Sequence, residues 1–427
     1  MSGDRAAVGA GDFPECQGAH GIRLVSIPES EYSDYRYGAI FKAYKWDPQF
    51  GDRSTVSKKV VLLNSKTAHR LAAQAEALAQ ETMAVEEALP ARPELVRELG
   101  LPRSIRRAAE QISEYDRQIH VRLMRFDFHP TQEGWAISEV NSDVPGGLAE
   151  SSVLPRMAAR YFEGFVPFRS SAEALAEAFL KKVPVGGRIV FVHCTSYSDD
   201  RQVMECLSDC FREKGYRTVF AAPDHLRWEN GYARLILEGE EGSVDGIVRF
   251  FPLEWMAELP RNCKWQGFFG SRTVSCNHPI AIFAQSKRLP LVWDSLGVEI
   301  PAWRELLPET ENPRRFGTLP EGSIYKPALG RVGERISIRE AISPKEYRKI
   351  ERSARMYPRD WIVQKRFQSL PIQADTGELY HMCLGVFTVE EKFAGFYARV
   401  SPSLRIDASA EETPVLVGNN GRGVLDV

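Results

Sequence analysis

Residues 125–143 read Arg125-Phe-Asp127-Phe-His-Pro-Thr-Gln-Glu-Gly-Trp-Ala-Ile-Ser-Glu139-Val-Asn141-Ser-Asp143. Polar and apolar residues alternate on both sides of a polar turn, which predicts two short strands joined as a hairpin. Residues two apart in a strand point to the same face of a sheet. The pattern therefore predicts that Arg125, Asp127, Glu139 and Asn141 meet on one side of the hairpin.

This cluster would combine one cation with three side chains that carry oxygen ligands. Carboxylate and amide oxygens are the ligands that Mg²⁺ prefers, and Mg²⁺ usually takes a nucleotide phosphate as a further ligand. Asp127, Glu139 and Asn141 are therefore candidate metal ligands. The alternative is a solvent-exposed hairpin with a simple ion pair between Arg125 and Asp127, and this stretch alone does not decide between the two.

A second informative segment, residues 323–338, reads Ser-Ile-Tyr-Lys326-Pro-Ala-Leu-Gly330-Arg331-Val-Gly333-Glu-Arg-Ile-Ser-Ile. It predicts a strand ending in lysine and proline, a loop with glycines, and another strand. Glycines let a backbone approach an anion closely, and the lysine and arginine supply charge for phosphates. The segment lacks the Gly-Lys-Ser/Thr ending of a Walker loop. The alternative is an ordinary hairpin with a basic tip.

Together these segments resemble the synthetase domain of the glutathionylspermidine synthase family, which belongs to the circularly permuted ATP-grasp ligases. The resemblance runs from about residue 120 to the C-terminus, with the metal hairpin ahead of both lysines, as in this permuted branch. Further short motifs follow in the family's order: Asn141-Ser-Asp-Val-Pro-Gly-Gly-Leu-Ala-Glu150, Phe251-Pro-Leu-Glu-Trp255, Ala284-Gln-Ser-Lys287-Arg-Leu-Pro-Leu-Val-Trp293, Trp361-Ile-Val-Gln364 and Ala394-Gly-Phe-Tyr-Ala-Arg399.

The resemblance implies an ATP site with one or two Mg²⁺ ions on the hairpin. Lys287, predicted to lie on a helix, and Lys326 would bind ATP phosphates from opposite sides of a cleft as point charges. Gly330, Arg331 and Gly333 would form the loop over the phosphates. Gln364 would hydrogen-bond the adenine edge, beside apolar side chains packed on the ring.

The same resemblance assigns catalytic roles to two arginines. Arg125 would bind the substrate carboxylate or the transferring phosphoryl group, and its alternative role is a structural pair with Asp127. Arg399 would reach the γ-phosphate or the tetrahedral intermediate. The chemistry implied is activation of a carboxylate by ATP as an acyl phosphate, followed by attack of an amine to form an amide. No protein nucleophile is required.

Departures from the family pattern bear on the substrates. Only about 120 residues precede the hairpin, so we expect no amidase domain. Val144 and the following Pro-Gly-Gly stand where glutathione-binding members have small hydroxyl residues, which leaves Ser142 as the one hydroxyl nearby. Asp199 and Asp200 match the acidic residues of the amine site in polyamine-using members, although capping of a helix would also explain them.

The partners expected are therefore a small-molecule carboxylate and an amine, with a polyamine or a carrier-bound acid among the candidates. A different class of function is a catalytically silent ATP-grasp protein that binds nucleotide as a regulator or scaffold. Such a protein would need neither the full metal set nor Arg399, and the presence of both favours the enzyme.

Composition agrees with a soluble enzyme. The 427 residues are 43% hydrophobic, which is enough for two or three packed subdomains. The net charge of −2, without a block of like charge, gives no reason to expect a nucleic-acid partner. Seven scattered cysteines without a Cys-x-x-Cys pair indicate reduced thiols, and no signal peptide or membrane span is recognisable. We expect a cytoplasmic protein.

The fold class expected is mixed α+β and α/β: a circularly permuted ATP-grasp ligase with a small parallel α/β subdomain and an N-terminal helical segment. The predicted division of the chain is a disordered 1–20, a mostly helical 21–119, a metal-binding hairpin part of the core at 120–185, an α/β substrate subdomain at 186–278, and an ATP-binding subdomain at 279–427.

Overall fold

The structure of the protein is a computed structural model that describes residues 20–110, 112, 115–330, 333 and 335–419. The predicted disordered segment 1–20 lies almost wholly outside these residues. The helices are α1 (Glu29–Lys42), α2 (Ser65–Ala88), α3 (Pro93–Val96), α4 (Arg103–Ala109), α5 (Leu148–Ala159), α6 (Ser171–Leu180), α7 (Ser198–Glu213), α8 (Leu253–Met256), α9 (Ile282–Gln285), α10 (Pro301–Leu306) and α11 (Pro344–Met356).

The strands alternate with these helices along the whole chain, which makes the fold mixed α/β. They are β1 (Ile22–Ser26), β2 (Gln49–Phe50), β3 (Arg53–Ser54), β4 (Lys59–Leu63), β5 (Leu123–Thr131), β6 (Gly134–Asn141), β7 (Phe165–Val166), β8 (Arg188–His193), β9 (Arg217–Ala221), β10 (Leu226–Glu229), β11 (Tyr232–Leu235), β12 (Gly242–Ser243), β13 (Gly246–Phe250), β14 (Val274–Cys276), β15 (Thr310–Glu311), β16 (Ser323–Pro327), β17 (Trp361–Lys365), β18 (Ile372–Gln373), β19 (Leu379–Val389), β20 (Lys392–Ser401), β21 (Glu411–Thr413) and β22 (Val415–Gly418).

The largest sheet is antiparallel and has the order β21-β20-β19-β5-β6, with β18 also paired to β19. The hairpin β5–β6 confirms the first sequence prediction. Asp127 pairs with Glu139 and Arg125 with Asn141, so all four lie on one face. Helices α2, α5 and α6 pack on this sheet.

Helix α2 is the longest helix described, and its sequence explains where it begins and which face it buries. Asn64 caps it, because its Oδ1 accepts a hydrogen bond of 2.7 Å from the backbone N–H of Thr67. Its apolar face, which includes Leu71 and Leu78, is fully buried. The prolines at 90, 93 and 102 interrupt the helical region between α2, α3 and α4, as the sequence predicts.

A second, smaller sheet has the order β15-β17-β16 and carries Lys326 and Gln364. The prediction of a strand after the glycine loop, at residues 335–338, is wrong. Ser337 donates one backbone hydrogen bond to Tyr325 of β16, but no ladder forms. The prediction that Lys287 lies on a helix is also wrong. Helix α9 ends at Gln285, and the backbone N–H of Lys287 donates instead to Ala328.

The parallel α/β layer predicted near residue 186 is confirmed. Its order is β14-β13-β8-β9, and every pair is parallel. The central strand β8 is apolar and almost wholly buried, as expected when both faces of a sheet are covered. Helix α7 follows β8, so its first turn lies at the carboxyl end of that strand, where α/β sheets commonly bind ligands.

The fourth sheet joins the two ends of the described chain. Its order is β1-β4-β22-β7, with β22 parallel to β4 and antiparallel to β7. Residues 21–119 therefore contain the buried strands β1 and β4 in addition to helices. The last strand of the described residues, β22, enters a sheet that contains the first, β1, and β21 lies close to residues that follow α1.

Candidate functional site

Hydrogen bonds connect three of the four polar residues predicted to meet on one face of the β5–β6 hairpin. Arg125 donates to both oxygens of Asp127, from Nε at 2.7 Å and from Nη2 at 2.9 Å. Asn141 donates from Nδ2 to Asp127 Oδ2 at 3.1 Å. A third donor of Arg125, Nη1, is bonded to the carbonyl of Gly146 at 2.7 Å. At most two of the five guanidinium N–H groups therefore remain for a ligand.

Both carboxylates of the cluster are ionised. Burial opposes the charge of Asp127, but the charge and hydrogen bonds of Arg125 hold its pKa below the ordinary value. Burial likewise opposes the charge of Glu139, and Lys287, 2.7 Å from Oε2, brings its pKa below the ordinary value. Two ionised carboxylates face each other in register, which suits a hard divalent cation.

Asn141 would supply the third oxygen of such a metal site. Its Nδ2 is used on Asp127, so its amide oxygen remains as the ligand atom. Within the described part of the chain, no group of three or more His, Cys, Asp or Glu residues is arranged to hold a metal ion. The donor set of the hairpin, two carboxylates and an amide, thus depends on Asn141.

Both lysines lie close to Glu139. Lys287 donates to the backbone carbonyl of Gly330 at 3.0 Å in addition to its ion pair. Lys326 donates to the carbonyl of Ser138 at 3.2 Å. Burial lowers the pKa of Lys326 to about 8, a shift that Glu139 opposes and Lys287 increases. Two ammonium groups close together without a matching number of anions indicate a site for a polyanion.

A cavity opens between the small sheet β15-β17-β16 and the large sheet, and we call it the lysine cavity. Its walls mix apolar side chains with cations. They are formed by Asp127, His129, Ser138, Glu139, Ile324, Lys326, Gly333, Ile336, Ile338, Gln364, Lys365, Arg366, Phe367, Ser369, Cys383, Arg399, Leu404, Arg405 and Ile406.

Two residues in the wall of the lysine cavity, Gln364 and Gly333, bear on what the cavity can bind. Gln364 donates from Nε2 to Thr310 Oγ1 at 2.9 Å, while its buried Oε1 receives no hydrogen bond from any described residue. Such an acceptor is open to a ligand N–H. Gly333 has φ +66°, and a Cβ there would lie 2.3 Å from the carbonyl oxygen of Ile406. Only glycine allows this close approach.

A second cavity opens onto the same polar face of the hairpin, and we call it the acidic cavity. Seven carboxylates and three cations line it: Asp47, Glu139, Glu150, Asp199, Asp200, Asp407 and Glu412 with Lys45, Arg125 and Arg399. Asn141 and Tyr397 are also in its wall. Glu139 and Arg399 line both cavities, so the two spaces meet at these side chains.

Arg399 is the cation at this meeting point. It lies on β20, opposite Cys383 on one side and Glu412 on the other. Its Nε is buried and donates to no described residue. Burial opposes its charge, but Tyr397 and Cys383 among its neighbours raise its pKa, so it remains a cation. An arginine with an unused donor between two cavities is suited to an anion that forms there.

The predicted amine-binding residues lie at the mouth of the acidic cavity. Asp199 and Asp200 are in the first turn of α7 and both line the cavity. Asp200 also accepts a hydrogen bond of 3.3 Å from the backbone N–H of Cys194, and Asp199 accepts one of 3.2 Å from Ser198. The geometry is thus compatible with both the amine-binding and the helix-capping interpretation.

Two other predicted site residues, Ser142 and Gly330, are described but are not in the wall of either cavity. Ser142 is fully buried, and its hydroxyl contacts Arg122 and Glu86 beneath the hairpin rather than the wall of the acidic cavity, so a substrate contact for it has no support in the geometry. Gly330 reaches the site through its carbonyl, bonded to Lys287. Arg331 lies outside the described residues.

A charged group that the sequence did not reveal lies deep in the acidic cavity. Lys45 Nζ is 2.7 Å from Asp47 Oδ1, 3.0 Å from Glu150 Oε1 and 2.5 Å from Glu412 Oε2. Glu150 stands in one of the family-like motifs, so a signal for it existed. Lys45 and Glu412 have no motif, because they come from opposite ends of the chain and meet only through the β4–β22 pairing.

The mixed α/β fold is consistent with the class of ATP-dependent ligases. The chain belongs to the glutathionylspermidine synthase preATP-grasp family, whose model matches residues 33–417. A sequence comparison with curated proteins gives no match.

A comparison with solved structures finds a protein described as "Putative gamma-glutamylcysteine synthetase" from Methylobacillus flagellatus KT. It shares 14% sequence identity, the match covers 76% of this chain and 85% of that one, and the TM-score is 0.40. This likeness is too distant to add to the assignment. In the described residues, no helix is long and apolar enough to cross a membrane.

Proposed function

We propose that the protein is an ATP- and Mg²⁺-dependent carboxylate–amine ligase with a circularly permuted ATP-grasp arrangement. One observation carries the proposal: Glu139 and Arg399 form a wall shared by two cavities of different character. One offers ammonium groups and apolar walls, and the other is rich in carboxylates. A ligase needs both spaces to meet, because the activated acid must be within reach of nucleotide and amine in turn.

The hairpin would hold the metal through Asp127, Glu139 and the amide oxygen of Asn141. When bound, Mg²⁺ would neutralise charge on the phosphates during phosphoryl transfer. The protein prepares these ligands in advance. Arg125 orients both oxygens of Asp127, and Lys287 keeps Glu139 charged. The main role of Arg125 would therefore be to orient Asp127. At most two of its N–H groups are left to bind a substrate carboxylate.

The lysine cavity would hold ATP. Lys287 and Lys326, both close to Glu139, would bind phosphates as point charges, and Gly330, Arg331 and Gly333 would form the loop over them. The open Oε1 of Gln364 can accept a hydrogen bond from an amino group at the adenine edge. Ile324 and Ile336 supply apolar walls of the kind that pack on a base.

Arg399 would stabilise the charge that develops between the cavities. The acid attacks the γ-phosphoryl group of ATP and becomes an acyl phosphate as ADP leaves. An amine then attacks the acyl carbon, and phosphate departs from the tetrahedral intermediate. A guanidinium held in place with an unused donor favours the oxyanion at that step, and such preorganised charge is usually the largest electrostatic contribution.

The acidic cavity would hold the amine. Its excess of carboxylates, including Asp199 and Asp200, attracts a cation, so a protonated amine such as a polyamine is a suitable acceptor. In this proposal residues 279–427 provide most of the ATP site, residues 120–185 the metal hairpin and residues 186–278 part of the acceptor site. Lys45 and Asp47 of residues 21–119 line the acidic cavity.

The proposal is tested by screening acids and amines for ADP release in the presence of Mg²⁺ and ATP. We expect ADP release that depends on the acid, and hydroxamate formation when hydroxylamine replaces the amine, because hydroxylamine captures an acyl phosphate. An enzyme that binds ATP but forms neither ADP nor hydroxamate with any acid would instead be a silent nucleotide-binding protein.

A further inference from the structure

The Lys45 cluster in the acidic cavity holds one cation among three carboxylates. Lys45 is buried and contacts Asp47, Glu150 and Glu412. Glu150 is only 6% exposed, and no described residue donates a hydrogen bond to its Oε2. Glu412 accepts a hydrogen bond of 3.1 Å from the hydroxyl of Tyr397. An unpaired buried oxygen beside a second carboxylate leaves room for one proton between them.

The position of Glu412 connects this cluster to the reacting centre. Glu412 lies on β21 directly opposite Arg399 on β20, so these side chains are neighbours on one face of the sheet. Arg399 stands where the acidic cavity meets the lysine cavity. Glu412 therefore lies in the acceptor space, next to the cation beside which an amine would attack.

The charges around Glu412 leave it able to gain and lose a proton near neutrality. It faces Lys45, Asp47, Glu150, Tyr397 and Arg399. Burial, followed by the Glu150 carboxylate, raises the pKa of Glu412 to about 7, although Lys45 opposes this shift. Burial also opposes the charge of Glu150, but Lys45 holds the pKa of Glu150 below its ordinary value. Glu150 stays ionised, and Glu412 titrates.

We propose that Glu412 accepts the proton that the attacking ammonium must lose, which makes it the general base of amide formation. The inference rests on the proposed ligase function. The ammonium N–H bond breaks, its proton passes to the Glu412 carboxylate, and the nitrogen keeps the electron pair. That pair forms the C–N bond with the acyl phosphate, the C–O bond to phosphate breaks, and the second proton of the nitrogen leaves with phosphate.

Other carboxylates of the cavity are less suited to this task. Glu150 is held ionised by Lys45, so it is a weak base. Asp199 is exposed in the first turn of α7. Glu412 combines a place beside Arg399 with a partly exposed side chain, through which the proton can return to water.

The first test follows the carboxyl group itself. In protein with ¹³C-labelled glutamate carboxyls, we expect one resonance that titrates near pH 7 and is missing in Glu412→Gln. The neighbouring Glu411→Gln is the matched control, because Glu411 points to the other face of β21 and contacts Ser57. The resonance should persist in that variant. A wild-type spectrum without a glutamate titrating between about pH 6 and 8 would overturn the proposal.

The second test compares two nucleophiles, using the acid and alkylamine that give the fastest ADP release. Hydroxylamine is largely uncharged at neutral pH and needs no base, whereas an alkylamine arrives protonated. Glu412→Gln should lower amide formation with the alkylamine by roughly 10²–10⁴-fold and leave hydroxamate formation almost unchanged. The wild-type rate with the alkylamine should fall below pH 7, because protonated Glu412 cannot accept a proton.

The outcomes separate the proposals. Equal losses with both nucleophiles would show that Glu412 is structural and would overturn its role as a base. If Glu412→Gln does not fold, Glu412→Asp keeps a carboxylate and should shift the pH at which the alkylamine rate falls; an unchanged profile would contradict the role. A wild-type enzyme that forms neither amide nor hydroxamate would overturn the ligase function as well.

Discussion

The lysine cavity and the acidic cavity share Glu139 and Arg399 but differ in what their remaining charges can bind. In the lysine cavity, five cations face two carboxylates, which leaves positive charge for phosphates: Lys326, Lys365, Arg366, Arg399 and Arg405 with Asp127 and Glu139. In the acidic cavity, carboxylates outnumber cations. One hairpin can therefore serve two kinds of ligand. The cavity on one side of Glu139 and Arg399 has an excess of positive charge, and the cavity on the other side has an excess of negative charge.

The largest effect is expected at the shared wall. Glu139→Gln removes a charge from the metal site and should abolish measurable ADP formation, a loss of roughly 10³-fold or more. Glu133→Gln is the matched control, since Glu133 is exposed at the turn of the same hairpin. Both variants should unfold at nearly the wild-type temperature. Full activity of Glu139→Gln at ordinary Mg²⁺ would remove Glu139 from the site.

The second residue of the wall should affect chemistry more than binding. Arg399→Ala removes the cation that lies between the cavities and should lower kcat by about 10²–10³-fold, while the Kd for ATP changes little. Arg399→Lys keeps the charge but not the planar fork and should recover only part of the rate. A large rise in the Kd for ATP, with kcat intact, would assign Arg399 to the nucleotide instead.

The lysine cavity should bind ATP in a pH-dependent way. Lys326 in the free protein has its pKa lowered to about 8, so it is charged below that pH and loses its proton above it. ATP binds the charged form better, and the Kd should therefore be constant near pH 7 and rise by up to about tenfold per unit above pH 8. Isothermal titration at several pH values measures this.

Lys326→Ala provides the control for that titration. It should raise the Kd for ATP by about 10–100-fold at pH 7, because a buried charge on the phosphates is lost, and its Kd should no longer vary with pH in this range. If the wild type and the variant show the same pH dependence, Lys326 is not the titrating group.

The smallest effect is expected at the mouth of the acidic cavity. Replacement of Asp199 and Asp200 by Asn should weaken amine binding several-fold, since surface charge pairs contribute on the order of 1 kcal/mol or less. The effect should shrink as salt rises, and the Kd for ATP should be unchanged. An equal loss of ATP affinity, or a loss of folded protein, would identify the pair as a cap of α7.

The two cavities also differ in how far the sequence predicted them. The structure places six predicted residues in the wall of the lysine cavity: Asp127, Glu139, Lys326, Gly333, Gln364 and Arg399. Lys287 pairs with Glu139 next to this wall, and Arg125 and Asn141 line the acidic cavity. Arg331 lies outside the described residues, and the roles of all these residues stay predictions. Two local errors occurred: the helix predicted for Lys287 and the strand after the glycine loop. Tertiary contacts decide both segments, because Lys287 pairs with Ala328 and Ser337 with Tyr325.

The sequence by itself determined the hairpin, the parallel layer and the helix boundaries at prolines. These depend on the period of side chains and on backbone restrictions, which act over a few residues. Only the tertiary structure decided the Lys45 cluster and the wall shared by two cavities. Lys45, Glu150 and Glu412 lie far apart in the chain, and Lys45 and Glu412 resemble ordinary surface charges in their local sequence. They become buried and interact with one another only when β22 pairs with β4 and β21 pairs with β20.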